Sequence, residues 1–188
     1  MTATMETDLR DPATHGSDLC GQQADPVDGW ERAHRSPVVV EVVYLRADRA
    51  GGWRYRQETG PLPERTDPQQ AARRIAGLDD PGRAQSVLHS TSWRYHEAGH
   101  IVLTYALVPD PDPGAPSAAL VSLDIARGSH RGHPAPAIID PVHVAAHAVR
   151  HLALLAETDP VVAAAIGEHE SLAAALADHE HGPAGQLT

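Results

Sequence analysis

A mixed α/β domain is the fold class this sequence predicts, a sheet with helices on both faces and a C-terminal helical pair. Three observations predict it. Runs of β-branched and aromatic residues recur at Val38–Leu45, Trp53–Arg56, Ser86–Tyr95, His100–Val108 and Ala118–Ile125. Asp-Pro pairs at 67–68, 140–141 and 159–160 each precede a stretch of helical periodicity. There aspartate can cap free amides, and proline at the first helical position loses no needed donor. The order is strand, strand, helix, strand, strand, strand, helix, helix, which suits a three-layer α/β/α sandwich.

Each element has its own signature. Val38–Leu45 is apolar at nearly every position, as in a strand buried on both faces. Ala50-Gly51-Gly52 turns into Trp53-Arg54-Tyr55-Arg56, whose alternation marks a half-exposed partner strand. A helix is expected from Gln69 to Leu78, ending at Asp79-Asp80-Pro81-Gly82. Pro109–Pro116 and Arg127–Pro136 read as loops by their proline and glycine. The helix after Asp140 should run for about sixteen residues and the one after Asp159 for about twenty. Residues 1–35 are polar and acidic and read as a tail, 36–157 as the α/β domain, and 158–188 as a last helix and tail.

Composition narrows the function classes. All 15 basic residues are arginine, and lysine, phenylalanine and asparagine are absent, a usage that fits a GC-rich genome. Without phenylalanine the core must be built from Val, Leu, Ile and Ala around Trp53, Trp93 and the tyrosines. A net charge of −10 argues against nucleic acid as the partner, since a phosphate backbone needs a basic footprint. Cys20 is the only cysteine, so no disulfide within the chain is possible. Met1–Asp8 lacks the basic-then-apolar pattern of a signal peptide, and no run approaches the roughly 20 apolar residues of a membrane span. The expectation is a soluble cytoplasmic protein.

Tyr95-His96-Glu97-Ala98-Gly99-His100 carries the chain's most explicit catalytic pattern. On a helix, two histidines four apart share a face and can hold zinc, and the intervening glutamate can deprotonate a zinc-bound water. The hexapeptide, with Val121-Ser122-Leu123-Asp124-Ile125, resembles the membrane-anchored AAA zinc proteases. That resemblance implies a zinc metallopeptidase with His96 and His100 as ligands and Glu97 as general base. The flanks, Ser90-Thr91-Ser92-Trp93 and Ile101-Val102-Leu103-Thr104-Tyr105, are strand formers. Their reading is a hairpin that turns through His96–Gly99, with glycine supplying the awkward dihedral. The hairpin is the expectation, with no metal cofactor, and the zinc enzyme is the alternative.

Two wider resemblances follow. Gly60 and Arg74 have the spacing of the glycine and arginine of the Nudix box, with Ala71-Ala72 in its helix, and the strand-strand-helix-strand order from about Pro37 to Glu157 is similar to a Nudix domain. Where that box has glutamates, this chain has Thr66, Ile75, Leu78 and Asp79, so only one position stays acidic. Mg²⁺ wants hard oxygen ligands, and the expectation is a Nudix-like skeleton without Nudix catalysis. His89-Ser-Thr-Ser-Trp-Arg94, Leu103-Thr-Tyr105 and His147-Ala-Val-Arg150-His151-Leu152 also look like a set of small bacterial proteins with no assigned activity.

The remaining candidate site is a polar constellation. Val144, Ala148, Leu152 and Leu155 form the apolar face of the helix after Asp140, leaving His143, His147 and His151 along a flanking stripe beside Arg150. On the strand, Ser90, Ser92 and Arg94 should share one face, with His89, Thr91 and Trp93 on the other. If the helix crosses that strand, Ser90, Ser92, Arg94, His147, Arg150 and His151 form a donor-rich pocket for a carboxylate or phosphate. Alternatively the arginines pair with acids of the chain. The expected function is a non-catalytic binding or regulatory domain whose partner is a small anion or another protein. Arg127-Gly-Ser-His130-Arg131-Gly-His133 is a second, loop-borne basic stretch.

Overall fold

The computed structural model describes residues 38–48, 50–80, 86–130, 136 and 138–177. The expected tail at 1–35, Cys20, the Pro81-Gly82 turn, Arg131, His133 and the last eleven residues lie outside that set. Five strands form one mixed sheet: β1 (Val38–Ala47), β2 (Trp53–Pro61), β3 (Val87–His96), β4 (His100–Val108) and β5 (Ala118–Leu120). Their order is β3-β4-β1-β2-β5, with β1 parallel to β4 and every other pairing antiparallel. The helices are α1 (Pro68–Ile75), α2 (Pro141–Thr158), α3 (Pro160–Gly167) and α4 (Glu170–Ala177). The expected mixed α/β class with its C-terminal helical pair is what the chain adopts.

β1 is central, which is why its sequence is apolar on both sides. Val43 and Leu45 join Trp53, Ala106 and Val108 under α2, α3 and α4. Val40, Val42 and Tyr44 join Tyr105 and Leu107 under α1. Each fully buried Val or Leu contributes about 1.5–3 kcal/mol relative to exposure. Residues of α3 and α4, Val162, Ile166, Leu172, Ala175 and Leu176, belong to the same core as the sheet. The line drawn at residue 157 is therefore not a boundary of the core.

The helix ends explain three departures from expectation. Asp67 Oδ1 accepts the Gln70 amide at 3.1 Å, and Asp159 Oδ1 accepts those of Val161 and Val162 at 2.8 and 3.2 Å. Asp140 caps nothing through its side chain; its carbonyl oxygen accepts the His143 and Val144 amides instead. α1 stops at Ile75 rather than Leu78, because Gly77 takes φ +64° and the Leu78 amide folds back onto the Arg73 carbonyl. The segment after Asp159 divides into α3 and α4 around Gly167-Glu168-His169, where the His169 amide caps Ile166 and a new turn begins. β5 pairs over only three residues instead of reaching Ile125; the Ser122 hydroxyl bonds the Asp124 side chain and accepts its amide, a local turn that competes with pairing.

Trp53 is in the core, at 4% exposure, but Trp93 is 69% exposed. Trp93 stands opposite Leu103 on the α1 face of the sheet. Among the described residues, the short α1 packs on β1 and β2 and leaves the part of β3 that carries Trp93 and Tyr95 exposed on that face.

Candidate functional site

The zinc-protease pattern occupies a hairpin turn. His96 ends β3, His100 opens β4, and the two are cross-strand partners. Gly99 has φ +89°, a left-handed conformation that favours glycine, and its amide donates to the His96 carbonyl at 2.8 Å. The two imidazoles stack with centroids 4.7 Å apart and planes 13° from parallel. His96 Nδ1 accepts the Ala98 amide at 3.2 Å, so that lone pair is already used. Glu97 lies exposed in the turn. The helix on which the alternative mechanism depends is not formed, and β propensity in both flanks is the reason. Among the described residues, no group of three or more His, Cys, Asp or Glu side chains is placed to hold one metal ion. Of the positions compared with the glutamates of the Nudix box, Ile75 and Leu78 pack in the α1 core and Asp79 lies 3.7 Å from Arg73.

The polar constellation is divided by a feature that periodicity does not show. The β3–β4 register slips between Ser90 and Ser92, leaving Thr91 as the extra residue of a bulge. Ser90 stands opposite Tyr105, on the α1 face, where it is exposed. Beyond the bulge Ser92 stands opposite Thr104 and Arg94 opposite Val102, on the α2 face that His89 already occupies opposite Ala106. Strict alternation thus placed Ser90 with the wrong partners and separated His89 from Ser92 and Arg94.

Arg94 is occupied. Its two terminal nitrogens each donate to a Glu41 carboxylate oxygen at 2.8 Å, and NH1 also reaches Thr104 Oγ1 at 3.0 Å. The Thr104 hydroxyl donates to Glu41 Oε2 at 2.8 Å. Glu41 and Thr104 are 4% and 0% exposed, so this bidentate pair lies in the sheet interior. The anticipated alternative, arginine paired with an acid of the chain, describes Arg94. The β4 partners of His89 and Arg94, Ala106 and Val102, are four positions apart, roughly 13 Å along the strand, too far for one small anion to touch both.

What remains together is the seam between β3 and α2, where His89, His147, Arg150 and His151 gather. The His89 and His151 rings are 5.5 Å apart and the His147 and His151 rings 6.2 Å. His89 Nδ1 donates to the Ser90 carbonyl at 2.8 Å, which leaves Nε2 as the acceptor in the neutral ring. Burial, then the charges of His151 and Arg150, holds His147 below the usual imidazole value. Burial and then His89 do the same to His151. Arg150 Nε and His151 Nε2 are both buried with no hydrogen-bond partner among the described residues. A buried polar atom left unpaired costs about 1–3 kcal/mol, which an incoming acceptor recovers. His143, first in the stripe, has Nδ1 4.0 Å from Asp140 Oδ2, beyond hydrogen-bonding range.

A second polar cluster had no sequence signal. On the α1 face the Arg56 guanidinium lies 3.4 Å above the Tyr44 ring and makes a bidentate pair with Asp110, 2.9 Å to each oxygen, plus a 2.5 Å contact to Glu58. Tyr44 Oη donates to Glu58 Oε2 at 2.9 Å, with the Ile75 carbonyl at 3.1 Å. Burial pushes the Tyr44 phenol up and Glu58 pushes it further. Burial alone would lower Arg56, but Asp110 and Glu58 outweigh it and hold the guanidinium charged. Tyr44, Arg56 and Glu58 line an open cavity of about 400 Å³ with Asp112, Ala115 and Pro116. The Tyr-Arg-Asp-Glu network is mutually satisfied, in contrast to the seam.

Among the described residues, no helix is long and apolar enough to cross a membrane. No protein-family model, no curated protein and no solved structure matches this chain.

Proposed function

We propose that this chain is a cytoplasmic binding or regulatory domain that catalyses no reaction and takes a small anion in the β3–α2 seam. The observation that carries the reading is the pair of buried, unpartnered nitrogens on adjacent residues, Arg150 Nε and His151 Nε2, with His147 beside them. Arginine supplies a permanent charge and the two imidazoles a conditional one. An anion in the seam favours their protonated forms, so binding strengthens as pH falls.

The site proposed is smaller than the constellation expected from sequence. Ser90 points to the other face, Arg94 is committed to Glu41, and Ser92 lies past the bulge opposite Thr104 beside that pair, leaving His147, Arg150 and His151, with His89 joining them. Thermal unfolding in inorganic phosphate, against chloride at matched ionic strength, tests it. At about pH 6, phosphate at ten times its dissociation constant should stabilise the protein by about 1.4 kcal/mol. The gain should shrink at pH 7.5 and vanish in Arg150→Gln. Equal stability in the two salts, or an undiminished gain in that variant, would overturn the reading.

A further inference from the structure

The face of the sheet opposite the seam carries three arginines close together. Arg46 on β1 and Arg54 on β2 are direct cross-strand partners, and Arg56 follows two residues on. Arg56 is neutralised by Asp110 and Glu58. Arg46 and Arg54 are not: among the described residues neither has a carboxylate within ion-pair distance. Like charges placed directly opposite on a sheet repel.

Both side chains reach instead for the loop between β4 and β5. Arg46 donates to the carbonyl oxygens of Pro113 and Ala115 and to Ser117 Oγ. Arg54 donates through Nε to Ser117 Oγ at 3.0 Å and through a terminal nitrogen to the Ser117 carbonyl. The Ser117 hydroxyl oxygen is therefore where the two guanidinium groups meet. The neighbouring acids have other partners: Asp110 holds Arg56, Asp112 accepts the Gly114 amide, and Asp48 accepts those of Ala50 and Gly52.

We propose that Ser117 is a phosphorylation site and that Arg46 and Arg54 are the receptor for its phosphate. The donor is a nucleoside triphosphate, delivered by a protein kinase. The Ser117 Oγ–P bond forms as the bond from the γ-phosphorus to its bridging oxygen breaks. The nucleoside diphosphate departs, and the hydroxyl proton passes to the kinase's general base. The product carries about −1.5 to −2 charges near neutral pH, enough to match two guanidinium groups. Arginine and phosphate oxygens also pair in a fork geometry that a lone hydroxyl does not use.

Ser117 itself is half-buried under the two arginines, and the loop around it is open to an enzyme, since Asp112, Pro113, Gly114, Pro116, Ala118 and Ala119 are all exposed. Ser117 immediately precedes β5, an edge strand held to β2 by three residue pairs. A phosphate there ties the loop and the edge strand to β1 and β2. It also fixes Ala115 and Pro116, which rim the cavity beside Tyr44 and Arg56. This site lies on the other face from the anion seam and does not depend on it.

The test installs phosphoserine at position 117 during translation of the full chain. Its second ionisation, followed by phosphorus NMR, should fall about one unit below the value near 6 of a free phosphoserine. The melting temperature should rise by about 3–6 °C. Both shifts should be reduced in Arg54→Gln and lost in the Arg46→Gln, Arg54→Gln double variant; if the double variant does not fold, the single one decides. A free-phosphoserine titration with an unchanged or lowered melting temperature overturns the proposal. So does phosphopeptide mapping of the protein from its native cells that finds Ser117 unmodified in every growth phase.

Discussion

Arg94 and Glu41 form the residue pair on which most depends, because Glu41 sits inside the sheet with its charge balanced by one guanidinium and one further hydrogen bond from a hydroxyl. Replacing Arg94 with Ala leaves that carboxylate buried and unpaired. Allowing for Arg94's partial exposure, urea denaturation should show a loss of about 2–4 kcal/mol. Arg94→Met combined with Glu41→Leu should be far milder, since neither charge then remains. At the seam the sign follows from His147 and His151, whose folded values lie below the ordinary one. Protonation therefore favours the unfolded chain. The stability they contribute is complete above about pH 6.5 and is lost as pH falls through and below it. A double His147→Gln, His151→Gln variant should lose less stability than the parent between pH 7 and pH 5, as followed by thermal melts. Four-residue spacing marks these histidines in the sequence, but nothing there marks Glu41. That carboxylate lies 53 positions from Arg94 in a run of valines, and pairing across the sheet alone brings them together.

The β3–β4 hairpin is the element most legible in sequence and also the one that misled. β-formers on both flanks and Gly99 between them were sufficient to expect the turn. Gly99→Ala forces a left-handed dihedral on a residue with a Cβ and should cost about 1–2 kcal/mol by chemical denaturation. An unchanged midpoint would contradict the assigned turn. The bulge at Thr91 was not legible, because an extra residue breaks the period-two pattern without any composition signal of its own. It lets β3 turn Val87 and His89 toward α2 before the slip, and Ser92 and Arg94 toward the same layer after it. The Asp-Pro openings located all three helical segments, whereas the break at Gly167 was hidden among alanines that favour a continuous helix.

At the scale of the whole molecule, three layers are joined through β1, and the last two helices complete the larger core rather than trail from it. A chain ending at Glu157 uncovers Val149, Leu152 and their neighbours and should lose cooperative unfolding; a truncated protein that melts like the parent would show α3 and α4 to be dispensable. Layer order could be read from element order, since a helix between strand pairs and helices after them must cover opposite faces. The extent of cover could not, and so Trp93 was expected in the core yet stands exposed. The same three-layer packing draws α2 across β3 and shuts the seam nitrogens away from solvent, which is what turns a surface stripe of histidines into a candidate anion site. Nitrogen-15 NMR of the imidazoles of His147 and His151, titrated with and without inorganic phosphate, tests that claim most directly. Both rings should titrate below about 6.5 in chloride, and phosphate should move both upward, with no movement in Arg150→Gln. Titration at the ordinary imidazole value, indifferent to phosphate, would contradict it.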